Sequence, residues 1–67
     1  MASARFTVGD RVRAACAMFN VRVGMVGTVL AVAEPTRSLC IVQFDDLLEI
    51  ELILVWCLEL VVAASPG

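Results

Sequence analysis

Three short motifs at regular intervals limit what this 67-residue chain can fold into: Val8-Gly9-Asp10-Arg11-Val12-Arg13, then Gly24-x-x-Gly27-Thr28-Val29, then Val42-Gln43-Phe44-Asp45-Asp46. Each sets glycine or aspartate, which favour turns, beside an alternating apolar run that suits a half-buried strand. Together they predict successive strands and turns of a small all-β barrel. They describe a shape and name no reaction.

Reading outward from these motifs places a turn at Gly9-Asp10 and a first strand over 11–15, with Val12 inward and the flanking arginines outward. A wide loop over 16–24 follows, unusually apolar for a connection because it holds Met18, Phe19 and Val21. The second strand covers 26–33 and is rich in β-branched residues. Glu34-Pro35-Thr36-Arg37-Ser38 is the clearest turn, since proline fixes φ and cannot donate to a ladder. The third strand covers 39–44, with Cys40, Val42 and Phe44 on one face. A fourth covers 49–54, with Ile50, Leu52 and Leu54 inward and Glu49, Glu51 and Ile53 outward. A 3₁₀ turn over 55–58 leads to a last strand at 59–62. One amphipathic helix over 46–62 is the rival reading. The period-two run Glu49-Ile50-Glu51-Leu52 and the β-branched residues of this stretch favour two strands.

A chain this short sits near the lower limit for burying a self-sufficient core and usually needs a disulfide, a metal or a partner. It has three cysteines, Cys16, Cys40 and Cys57, and no histidine. With no C-x-x-C spacing a structural zinc site is not expected. The thiols read as buried and reduced in a cytoplasmic protein, and at most one bridge could form. Association is the remaining means of stabilisation. The residue usage agrees: 61% is hydrophobic and mean hydropathy is +0.95, against roughly 45–50% apolar in ordinary domains. The longest apolar run, 52–58, falls short of the about 18 residues a spanning helix needs, and no signal-peptide core follows the N-terminus. Residues 1–5 read as a flexible leader, 6–62 as the barrel and 63–67 as a flexible tail.

Five strands, a Gly-Asp turn before the first and a 3₁₀ turn before the last describe an SH3-like barrel. Gly9-Asp10-Arg11-Val12-Arg13, Gly27-Thr28-Val29 and Val42-Gln43-Phe44-Asp45 resemble the strand signatures of several SH3-like families. These are KOW-type domains, the small extrinsic subunit of photosystem I and uncharacterised small bacterial domains of similar layout. The resemblance covers about residues 6–62 and speaks for fold more than for function. The architecture is also similar to the type II plasmid dihydrofolate reductases, which share the Gly-Asp-Arg-Val-Arg opening and an ending like Val55-Trp56-Cys57-Leu58-Glu59. Where that family places a Val-Gln-Ile-Tyr pore segment, this chain has Ile50-Glu51-Leu52-Ile53, and it has no lysine for the pore. The resemblance therefore implies the fold without the folate and nicotinamide chemistry, and no cofactor is expected.

Three groups of residues remain as candidate sites. Arg11, Arg13 and Arg22 could form a basic patch for RNA; the preferred reading is an exposed strand face whose arginines pair with glutamates across the sheet. A net charge of −2 and a pI of about 4.7 give phosphate binding little support. Asp45, Asp46, Glu49 and Glu51 could hold a hard cation or act as an acid–base pair, but aspartates at a hairpin turn are the preferred reading. None of the cysteines has an evident activating base. Leu30, Leu39, Ile41, Ile53 and Trp56 should face outward once the inward set fills a small barrel, and if contiguous they mark an interface with Trp56 as its anchor. The chain is thus expected to be a non-enzymatic module that self-associates, or docks on a larger protein, through an apolar strand face. Nucleic-acid binding is the alternative, and an oligomeric reductase-like enzyme a disfavoured third.

Overall fold

The computed structural model of the chain describes residues 6–64. It is all-β: β1 (Arg11–Ala14), β2 (Val26–Val32), β3 (Leu39–Phe44), β4 (Glu51–Leu54), a single 3₁₀ turn (Val55–Cys57) and β5 (Leu58–Val62). The strands form one antiparallel sheet of order β4-β3-β2-β1-β5. Among the described residues no ladder joins β4 to β5, so the sheet is open. Its two edge strands are nevertheless consecutive in the chain and joined by the 3₁₀ turn, with the Val55 N–H donating to the Ser38 carbonyl at 2.9 Å. Residues 46–62 are therefore two strands and a turn, not a helix. The leader at 1–5 and the tail from 65 onward lie outside the described residues.

One face of the sheet carries the core. Val12 and Ala14 of β1, Val29 of β2, Cys40, Val42 and Phe44 of β3, Ile53 of β4 and Leu58 of β5 are buried together with Phe6, Val21, Met25 and Cys57. The registers Val12↔Gly27 and Gly27↔Phe44 set Gly27 in the middle of this layer. A Cβ there would lie 2.6 Å from the Gln43 carbonyl oxygen and 2.8 Å from the Phe44 Cα. Backbone cannot retreat as a side chain can, so the Gly27-Thr28-Val29 motif needs its glycine for the close approach of β2 to β3.

The fourth strand differs from expectation by one residue of phase. Ile53 is 1% exposed and lies opposite Cys40, whereas Leu52 is 57% exposed and lies opposite Ile41. Ile50, expected inward, precedes the strand and is exposed. The alternation of Glu49-Ile50-Glu51-Leu52 favours outward glutamates, but register belongs to the pair of strands. A one-residue slip reverses every side chain, and Ile53 packs in line with the inward face of β3. Glu51 then takes the inner phase, half-buried at the open edge. Two smaller differences have local causes. A bulge in β2 sets Leu30 and Ala31 against Ile41, and the expected wide loop contains a tight bridge, Met18↔Val21. Val21 is buried, which explains part of that loop's apolarity, while Phe19 at the tip has a φ of 50°.

At the other end of β1 the Gly9-Asp10 turn does more than reverse the chain. The Asp10 carboxylate is buried and accepts hydrogen bonds from the Thr7 N–H (2.9 Å), the Thr7 hydroxyl (3.1 Å) and the Ala64 N–H (2.7 Å). Its main chain accepts from Val29 N–H (2.9 Å), and Gly9 N–H donates to the Val29 carbonyl (2.7 Å). Gly9 has a φ of 96°, and a Cβ on it would lie 3.0 Å from the Ala64 Cβ. Residue 64, expected in a flexible tail, is thus held against the first turn.

Burial alone would raise the Asp10 pKa, but the bonds from Thr7 and Ala64 outweigh it and hold the carboxyl below its ordinary value. A carboxylate with a lowered folded-state pKa contributes stability that is present above the unfolded value of about 4 and is lost as pH falls through the folded value. Asp10→Asn sets an amide N–H₂ against the donor on one side of this site. It is expected to cost about 2 kcal/mol at neutral pH, with the gap to wild type narrowing as pH falls below the unfolded value of about 4 and through the lowered folded-state value. Urea unfolding of both proteins from pH 7 to pH 2 measures it; a gap that stays constant across that range contradicts the assignment.

Candidate functional site

The outward side of the sheet divides into an apolar part and a charged part. On β2, β3 and β4, the register aligns Ala31, Ile41 and Leu52 in one row, with Leu30 beside them at the bulge and the Leu39↔Leu54 pair next to it. Leu30 is exposed, while Leu39 and Ile41 are half-buried. Trp56 is 66% exposed on the 3₁₀ turn that follows β4. Of the five side chains expected to form an outward apolar group, Leu30, Leu39 and Ile41 therefore share one region of the outer face. Ile53 does not belong to it: it is in the core, and Leu52 stands in its place.

The apolar surface extends beyond what the sequence suggested. Leu48 and Ile50 before β4, and Leu60, Val61 and Val62 on β5, are all exposed. Leu60 is informative because it lies opposite Val12, a core residue, yet is 50% exposed. A side chain on the inner phase of an edge strand is left half in solvent when no further strand covers it. The register shift between Arg11 and Val12 makes room for Val61 as an extra residue on β5, a bulge that no residue pattern signals.

The charged part lies along β1. Arg11 and Thr28 pair across β1 and β2, and Thr28 with Gln43 across β2 and β3, so these three form a polar row. The Arg11 guanidinium donates to the Thr28 hydroxyl at 2.8 Å and grips Asp45 with two bonds of 3.0 and 2.6 Å. This fork-on-carboxylate geometry holds the Asp45 carboxyl below its ordinary pKa, and the same bonds raise that of Arg11. Arg13 donates from Nε and one terminal nitrogen to a single Glu59 oxygen at 3.1 and 3.0 Å. Both arginines are thus paired across strands with carboxylates. Arg22 is separate from them, exposed in the 16–24 segment, where it lines an open groove with Asp45 and Asp46. The three arginines form no continuous cationic surface.

The acidic candidates divide into Asp45 and a group of three. Asp45 follows β3 in a turn, its N–H donating to the Val26 carbonyl at 2.9 Å, and its side chain is taken by Arg11. Asp46, Glu49 and Glu51 border a second open groove with Asn20, Leu47 and Leu48. Among the described residues no three histidine, cysteine or acidic side chains converge as a metal-binding group. The stretch at the place of the reductase pore, Ile50-Glu51-Leu52-Ile53, presents an exposed Ile50 and Leu52, a half-buried Glu51 and a buried Ile53. That is a strand edge with one carboxylate, without the amide and phenol a pteridine and nicotinamide would require. Comparison with family models, with curated proteins and with solved structures returns no match for this chain.

Pairing of Arg11 and Arg13 with internal carboxylates predicts weak competition by phosphates. Single-stranded RNA at low ionic strength, and NADPH in a separate titration, are expected to give no saturable binding by fluorescence or calorimetry. Salt-sensitive RNA binding that disappears in Arg11→Gln/Arg13→Gln would show the opposite.

Proposed function

We propose that this chain is a non-enzymatic interaction module, an SH3-like barrel in architecture, that self-associates through the apolar surface of β4, the 3₁₀ turn and β5. The barrel reading is supported by the return of β5 to β1 and by the single 3₁₀ turn connecting the two sheet edges. Its curvature would bring the edge strands toward each other, as in the families whose strand signatures this sequence resembles.

One observation carries the association reading. Seven of the eleven large apolar side chains left exposed among the described residues fall within 48–62: Leu48, Ile50, Leu52, Trp56, Leu60, Val61 and Val62. Exposed apolar residues scattered singly need no explanation, but clustering on two unpaired strand edges and the turn between them does. Natural edge strands are commonly guarded by lysine, proline or inward charge. Here the guards are Glu51 and Glu59, and Glu59 is already neutralised by Arg13. A second copy is the simplest partner, because a self-complementary patch closes under two-fold symmetry. A larger protein presenting its own strand edge would use the same surface. The three free thiols support a cytoplasmic setting. The nucleic-acid alternative keeps Arg22 as its one arginine outside an ion pair among the described residues, which favours association over it.

Light scattering coupled to gel filtration is expected to give a discrete oligomer at high micromolar concentration. Trp56→Glu or Leu52→Glu should weaken it by about 30-fold or more, as expected for an anchor residue of about 2 kcal/mol, with the circular dichroism of the folded sheet retained. A monodisperse, soluble monomer at high micromolar concentration would sink the reading.

A further inference from the structure

Two loop tips meet at the end of the sheet where β2 begins and β3 finishes. One is the turn Phe19-Asn20, closed by Met18 and Val21, whose N–H groups donate to each other's carbonyls at 2.9 and 2.7 Å. Its base is tied to the sheet by the Gly24 N–H on the Ala14 carbonyl at 2.8 Å, and the Arg22 N–H donates to the Met25 sulfur at 3.1 Å. The other tip is the segment 45–48. There the Asp45 N–H donates to the Val26 carbonyl at 2.9 Å, the Leu47 N–H to the Phe44 carbonyl at 3.1 Å and the Gln43 side-chain amide to the Leu47 carbonyl at 2.8 Å. Asn20 of the first tip and Asp46, Leu47 and Leu48 of the second line one open groove, with Glu49 and Glu51 at its border.

The apolar residues at these tips contribute nothing to the core. Leu48 is 100% exposed and Phe19 92%, the two most exposed large apolar side chains among the described residues. Phe19 also has a φ of 50°, a region that bulky side chains avoid and that asparagine or glycine occupies with less strain. A strained aromatic ring held in water gains only from a partner that covers it. Charge defines that partner. Asp46, Glu49 and Glu51 belong to none of the ion pairs among the described residues, unlike Glu34, Asp45 and Glu59, and no arginine lines their groove. Cations beside apolar side chains complement this surface, whereas a phosphate-bearing polymer or an anionic lipid is repelled.

We propose that the two tips around Phe19 and Leu48 form a docking surface for a basic, apolar peptide segment of another protein. Arginine or lysine of that segment sits against Asp46, Glu49 and Glu51, and its leucine or aromatic side chains pack on Phe19 and Leu48. Because both tips are hydrogen-bonded in place beforehand, little loop ordering opposes binding. Leu48 lies at the margin of the association surface, but Phe19 and Asp46 lie outside it. The inference therefore goes beyond self-association and stands or falls separately.

The test is selection of random dodecapeptides displayed on phage against the full chain, followed by fluorescence anisotropy of the enriched peptides after synthesis with a fluorescein label. The expected result is enrichment of peptides that combine arginine or lysine with leucine or aromatic residues, with binding that weakens as salt rises. Phe19→Asn should lower their affinity by about tenfold or more while leaving the thermal midpoint unchanged or higher, since asparagine tolerates the turn. Asp46→Asn/Glu49→Gln should weaken binding and flatten its salt dependence. Neither variant should alter the oligomer mass in light scattering, and a monomeric chain that still binds these peptides would refute the association reading alone. Absence of enrichment, enrichment of acidic or uncharged peptides, or binding that Phe19→Asn leaves intact would each overturn the proposal. So would an oligomer that Phe19→Asn dissociates, or co-sedimentation of the chain with phosphatidylcholine vesicles that requires Phe19.

Discussion

The buried carboxylate of Asp10 is the contact on which the ends of this fold depend. A carboxylate removed from water is costly unless its oxygens are satisfied by donors. Here three donors from two distant parts of the chain, Thr7 and Ala64, converge on it. The same residue uses its main chain to begin the β1–β2 pairing through Val29. One residue thus fixes the entry to β1, the start of its ladder and the exit from β5. Gly9 complements it, because its positive φ turns the chain and its lack of a Cβ leaves space for Ala64.

With the ends fastened in this way, the remaining distribution of apolar surface follows from size. A sheet of five short strands has room on its inner face for about a dozen side chains, and these are filled by the cluster around Val12, Val42 and Phe44. A chain that is 61% hydrophobic has more to bury than that. The excess could have been spread over the surface, yet seven of the eleven exposed large apolar residues among the described residues fall within 48–62, while the ion pairs run from β1 to Asp45 and to Glu59. The Arg11–Asp45 and Arg13–Glu59 pairs are exposed and contribute little to stability. Their importance is that they neutralise the face where a polyanion would otherwise find its charges.

Much of the strand order was legible because it rests on local chemistry. Gly9-Asp10 and Gly27 announce a turn and a close backbone approach, Cys40, Val42 and Phe44 show one face of β3 by alternation, and the β-branched residues of 50–62 argue against a helix. What was not legible depends on pairing between strands. Ile53 points inward only because β3 sets the phase of β4, and the paired glutamates of Glu49-Ile50-Glu51 suggest the opposite phase when read alone. The bulges at Leu30 and Val61, and the capture of Ala64 by Asp10 across 54 residues of sequence, leave no trace in any local pattern. For the outer face the consequence is specific: Leu30, Leu39, Ile41 and Trp56 lie outside the core as composition and spacing suggest, Leu52 takes the outward place expected for Ile53, and the exposed apolar residues of β5 fall outside that expectation.

An apolar strand edge covered by a partner differs from a bare one in its backbone as well as its side chains, because unpaired N–H groups on the edge gain acceptors when another strand or turn packs there. Amide hydrogen exchange of the same protein at low micromolar and at near-millimolar concentration therefore tests the central claim most directly. Association through β4, the 3₁₀ turn and β5 predicts that amides within 50–62 become protected as concentration rises, while those of β2 and β3, already paired on both sides, change little. Exchange within 50–62 that is independent of concentration, or protection gained instead at the arginine-bearing face of β1, would contradict it.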